Sequence, residues 1–126
     1  MILIDSDVLI WFTRGHDGAR TRLAQINPWR ISVITYMELA QGCQSKTELQ
    51  SLKRGLTLRH TETLPLTQAI SERAMDLVDS HALSDGLRLA DAMIAATAIE
   101  HTLTLLTGNA RHFAPIQSLA VEHFGP

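Results

Sequence analysis

Short apolar runs that stop abruptly on polar residues alternate with helix-length segments along this whole chain, and that alternation limits the folds open to it. Ile2 to Ile4 ends at Asp5, Trp29 to Ile34 is apolar and β-branched, and Leu103 to Leu106 gives way to Thr107-Gly108. Uninterrupted apolar runs of this length suit strands buried on both faces, as in parallel sheets. Between them the pattern predicts helices at Val8 to Thr13, at Asp17 to Ile26 before Asn27-Pro28, and at Tyr36 to Gln41 before Gly42. Ser45 begins another, with Leu49, Leu52 and Leu56 at helical spacing, and Leu58 to Leu66 alternates as a strand does. Thr67 to His81 carries one apolar stripe (Ile70, Ala74, Leu77, Val78), and Leu89 to His101 is an alanine-rich helix. Ser118 to Val121 suits a final edge strand. The expected class is α/β: one domain over residues 1–126, with a central, mostly parallel sheet of four to five strands flanked by helices on both faces. Functional groups in such sheets collect beyond the carboxyl ends of the strands.

Composition agrees with one packed domain, at 126 residues, 45% of them hydrophobic and 19% charged. Eleven basic against 13 acidic side chains give a net charge of −2, so the chain has no bulk basic character. Nucleic-acid binding would then rely on a partner or on local clusters such as Arg14, Arg20, Arg22 and Arg30. The single Cys43 excludes an intrachain disulfide and, with six scattered His, speaks against a structural zinc site. The opening MILIDSDVLIWF lacks a basic region and is too short for a membrane span, which predicts a soluble, cytoplasmic protein.

Three acids fall where a site is expected. Asp5 ends a buried strand, or caps the helix that starts near Ser6. Glu38 follows a strand by one helical turn, and Thr35-Tyr36-Met37-Glu38 also fits a capping box. Asp91 shares a helical face with Leu87, Ile94, Ala95 and Ala98, where a charge is costly unless paired or bound to metal; the alternative is an N-cap for a helix starting at Ala92. Like charges ~4 Å apart at an effective dielectric near 20 repel by about 4 kcal/mol per pair, which a divalent cation would offset. Oxygen ligands favour Mg²⁺, or Mn²⁺, over zinc. Such an ion activates water and polarises phosphate, so phosphodiester hydrolysis is the natural chemistry.

The segments LIDSDVLIW, ISVITYMELAQG, LADAMIAATA and LLTGNARHF together resemble, in order and spacing, the PIN-domain ribonucleases, and within them the VapC toxins of type II toxin–antitoxin systems. The resemblance runs from Met1 to about Phe124. It implies an Mg²⁺-dependent endoribonuclease cutting tRNA or rRNA with metal-activated water, a homodimer, and inhibition by a VapB-like antitoxin. Asp5, Glu38 and Asp91 fall on the family's metal-binding acids, and Thr107 and Asn109 on its polar turn after the penultimate strand. Asp7 stands where many relatives have Asn, and acts as a further ligand or as a cap. A fourth acid common in relatives is replaced here by Asn109 and His112; Asn109 alternatively caps Ala110 to Phe113, and His112 is read as structural.

Two rival readings remain. Asp5-Ser6-Asp7-Val8-Leu9 resembles the opening of haloacid-dehalogenase phosphatases, although the only lysines are Lys46 and Lys53. A PIN-fold module that binds a partner without catalysis is the non-enzymatic alternative.

Overall fold

The computed structural model describes residues 1–126, beginning with a strand, β1 (Ile2–Ile4), that ends where Asp5 turns the chain into α1 (Ser6–Thr13). α2 (Asp17–Ala24), β2 (Arg30–Ser32), α3 (Val33–Gln41) and α4 (Lys46–Leu58) follow. Then come β3 (Glu62–Leu64), α5 (Gln68–Asp85), α6 (Leu89–Glu100), β4 (Thr104–Thr107), α7 (Ala110–Phe113) and β5 (Val121–His123).

All five strands are parallel to their partners, as expected, but the ladder is divided. β1, β4 and β5 form one sheet with β4 in the middle, and β2 pairs with β3 in a second. β1 and β2 are neighbours in space without a continuous ladder between them. Within the larger sheet Leu3 faces Leu105 and Ile4 faces Leu106. Because side chains alternate along a strand, this register sends one pair to each face. Leu3 and Leu105 enter a core with Ile70, Ala74, Leu77, Ala95 and Phe113. Ile4 and Leu106 enter the other, with Val8, Leu23, Trp29, Ile31 and Leu56. Burial of each such aliphatic side chain contributes on the order of 2 kcal/mol.

Local signals moved several boundaries. α1 starts at Ser6 rather than Val8, because the Asp5 carboxylate accepts the Ser6 amide. α2 stops at Ala24, short of Ile26. The second strand is only Arg30–Ser32, since the Ser32 hydroxyl accepts the Ile34 amide and starts α3 at Val33. Leu58 belongs to α4, so the alternation over Leu58 to Leu66 reduces to Glu62–Leu64. The edge strand is Val121–His123, shifted toward the C-terminus by its pairing of Leu105 with Val121 and Thr107 with His123. α5 extends past His81 to Asp85, where Gly86 closes it at φ 69°.

α6 precedes β4 through a tight turn and runs back along the sheet, so its first residues lie at the carboxyl ends of the strands. Ala92, Ala95, Ala96 and Ala98 are all buried, and their small side chains allow close approach to the neighbouring layer. No helix is long and apolar enough to cross a membrane.

Candidate active site

Asp5 is the most enclosed acid, 6% exposed, and both of its oxygens are committed. One accepts the Ser6 amide at 2.8 Å, and the other accepts the Thr107 hydroxyl at 2.7 Å. Cap and site are thus the same side chain. Burial, then the charge of Asp7, push its carboxyl up to about 6, against the lowering effect of those two hydrogen bonds; the charge of Asp91 adds to the rise.

The turn after β4 reaches toward α1. Thr107 also accepts the Asn109 amide at 3.0 Å, which fixes the rotamer that donates to Asp5. Asp7 accepts the Gly108 amide at 2.9 Å and the Asn109 side-chain amide at 3.1 Å on a single oxygen, Oδ2. A Cβ on Gly108 would stand 2.6 Å from that oxygen, so the approach requires glycine. Asn109 occupies the N-cap position of α7 but makes no capping bond, because its side chain is turned to Asp7. Burial and the charge of Asp91 raise the Asp7 carboxyl, while nearby backbone amides lower it.

Glu38 is not a capping residue. With Ser32 as the N-cap, it lies in the second turn of α3, and the Thr35 hydroxyl of the expected capping box is buried without a partner. Its own contact is the Ser6 hydroxyl, which donates to Oε1 at 3.3 Å. Partial burial and the charges of Asp91 and Asp7 raise its carboxyl. Asp91 is not the N-cap of α6 either; that position is Arg88, and Asp91 sits in the first turn with its side chain 24% exposed. Burial raises it, opposed by the positive charge of His112 and Arg88.

The sheet edge therefore brings Asp5, Asp7, Glu38 and Asp91 within reach of one another's charge, with Thr107 and Asn109 bracing two of them. No three His, Cys, Asp or Glu side chains stand close enough to form a closed metal-binding group. An all-oxygen donor set suits Mg²⁺, which keeps several waters and takes only one or two carboxylates directly. Asp7 Oδ1 is buried and has no hydrogen-bond partner.

Two further residues stand near Asp91, of which Arg88 was not anticipated. His112, expected to be structural, is exposed, with Nδ1 3.8 Å from Asp91 Oδ2, and it lines a cleft of about 180 Å³ with Arg88. Arg88 immediately precedes α6, three positions before Asp91, a placement readable from the sequence had the helix start been known. The expected arginine cluster does not form a free basic face. Arg22 is paired with Glu122 at 2.8 Å, Arg30 with Glu62 at 3.5 Å, and Arg20 lies over the Phe12 ring. Arg14 alone of the four lines the cavity beside Glu38, of about 710 Å³. Lys46 and Lys53 lie exposed on α4, whose residues make no hydrogen bond to Asp5 or Asp7.

A family model described as the PIN domain matches residues 2–117. Ribonuclease VapC10 of Mycobacterium tuberculosis is 37% identical over 123 residues, which span 94% of this chain and 90% of that protein. A toxin–antitoxin complex from Klebsiella pneumoniae contains a chain of the same fold, with a TM-score of 0.81 and 30% identity, covering 98% of this chain and 100% of that one. FitAcB from Neisseria gonorrhoeae matches with a TM-score of 0.76 and 26% identity, covering 96% of each chain.

Proposed function

The chain belongs to the PIN domain family, and from that premise we propose that it is a metal-dependent endoribonuclease acting as the toxin of a toxin–antitoxin pair. One observation carries the assignment: Asp5, Glu38 and Asp91, far apart in sequence, meet at one sheet edge, where the charge of Asp91 raises both of the others. The ribonuclease named among its relatives and the toxin–antitoxin complex among its structural matches support the activity and the kind of partner.

In this reading Asp5, Glu38 and Asp91 hold Mg²⁺, or Mn²⁺, in their ionised forms. The bound ion supplies Lewis-acid polarisation of the phosphate and lowers the pKa of a water molecule. The chain's own groups orient these acids and neutralise the substrate. Thr107 holds Asp5 through its hydroxyl, Ser6 steadies Glu38, and Asn109 braces the turn. Arg88, beside Asp91, faces an RNA phosphate with positive charge, and the His112 ring stands next to it. The substrate is tRNA or rRNA, the protein acts in the cytoplasm as a homodimer, and a VapB-like antitoxin restrains it.

Incubating the purified protein with total RNA, with Mg²⁺ or with EDTA, beside Asp91→Asn, tests the assignment. Cleavage is expected only in the wild type with Mg²⁺. Cleavage that survives EDTA or the substitution overturns the mechanism.

A further inference from the structure

We infer that the cleft lined by Arg88 and His112 is a phosphate subsite, which holds an RNA backbone phosphate flanking the scissile one. The inference rests on the ribonuclease reading above and adds to it a second anchor for the substrate, apart from the acids.

The cleft lies where α5 ends and α6 begins. Asp85, Gly86, Leu87, Arg88 and His112 line it, and its volume is about 180 Å³. Sites for whole small molecules take roughly 300–1,000 Å³, so this one suits a single compact group. The chemistry of the lining selects that group. Arg88 is exposed and belongs to none of the arginine ion pairs, which engage Arg22, Arg30 and Arg73. Side-chain hydrogen bonds from arginine likewise come only from Arg22 and Arg73. A guanidinium presents a planar fork of N–H donors and keeps its charge, a geometry that matches phosphate oxygens. His112 adds a ring N–H in either neutral tautomer, so its contribution does not depend on charge. The one carboxylate on the lining, Asp85, is turned to its own helix. Its Oδ2 accepts the Ser84 hydroxyl at 2.9 Å and lies 2.9 Å from His81 Nδ1, which leaves Arg88 uncompensated.

Position separates this cleft from the scissile phosphate. None of Asp5, Glu38 and Asp91 lines it. Yet His112 Nδ1 stands 3.8 Å from Asp91 Oδ2, and Arg88 immediately precedes the helix whose first turn carries Asp91. The cleft is thus the acids' neighbour without being part of their site, as the next phosphate along a strand requires. Phosphate contacts fix where a strand lies without reading its sequence.

Neutral methylphosphonate linkages test this, placed one at a time on either side of a mapped cleavage site in a short single-stranded RNA. With Mg²⁺, one such linkage should raise the wild-type KM at least about fivefold, as loss of one charge-assisted contact would. Arg88→Gln should raise KM for unmodified RNA by a similar factor, with kcat and Tm little changed, and should be indifferent to that linkage. His112→Ala should be less sensitive than wild type at the same linkage. In EDTA, where nothing is cut, fluorescence anisotropy should show weaker binding by Arg88→Gln and a logarithmic salt slope smaller by about 0.7. The inference is overturned by neutral linkages that cost wild type and Arg88→Gln alike, or by unchanged affinity of Arg88→Gln in EDTA. It is overturned too if Arg88→Gln and His112→Ala lose sensitivity at different linkages. A wild type that cuts RNA while Arg88→Gln cuts it equally well removes the subsite alone; a wild type that cuts none removes the ribonuclease reading and the subsite together.

Discussion

Asp5 serves the fold and the site with the same two oxygens, and the two demands oppose each other. Its carboxyl sits at about 6 in the folded chain, against an ordinary 3.8. Burial, the largest cause, favours the protonated form, so between these values the folded state binds more protons than the unfolded one. Stability therefore falls as pH rises through that window and levels off above it. The gap corresponds to about 3 kcal/mol. In EDTA the wild-type Tm should be higher at pH 5 than at pH 7.5, and Asp5→Asn should shrink that difference, raise the metal-free Tm at pH 7.5 and abolish RNA cleavage. A pH profile of melting unchanged by the substitution would mean that Asp5 acts mainly as a helix cap. Thr107→Val removes the 2.7 Å bond to Asp5 and the acceptor of the Asn109 amide. It should cost on the order of 1–3 kcal/mol in urea titrations.

At the level of elements, the start of α3 decides what Glu38 can do. A helix beginning at Tyr36 would have spent Glu38 on its own first turn. Beginning at Val33 under a Ser32 cap, α3 leaves Glu38 free to meet Ser6, 32 residues away. Ser32→Ala should therefore destabilise the chain by about 1 kcal/mol. Thr35→Val should be neutral or stabilising, because the hydroxyl it removes is buried and unpartnered. The reverse ranking in equilibrium unfolding would restore the later start. The long, strongly patterned helices α5 and α6 were legible to within a few residues from their apolar spacing. Three-residue strands were not, because a neighbouring cap or pairing partner can move their ends by as much as their own length.

Across the molecule as a whole, little of the positive charge lies around the acids that RNA would meet. Ion pairs occupy Arg22 and Arg30, and the Arg59 guanidinium stacks on Phe12 and Trp29, which leaves Arg14, Arg88 and His112 around the acids. With roughly three phosphate contacts, binding of single-stranded RNA by a cleavage-dead variant should follow salt with a slope near −2 on logarithmic axes. A much steeper slope in fluorescence anisotropy would mean that a basic surface elsewhere takes part.

The parallel α/β plan, the strand that ends at Asp5 and the amphipathic faces were settled by the sequence alone, because periodicity and chain-breaking residues act over a few neighbouring positions. The register of Leu3 with Leu105 and Ile4 with Leu106 was decided by tertiary structure, as was the escape of Glu38 from a cap. So were the seating of Asp7 on a turn 101 residues away and the neutralisation of the arginines. Each depends on groups from separate segments competing for the same donors, acceptors and charges, and that competition exists only once the sheet has brought them together.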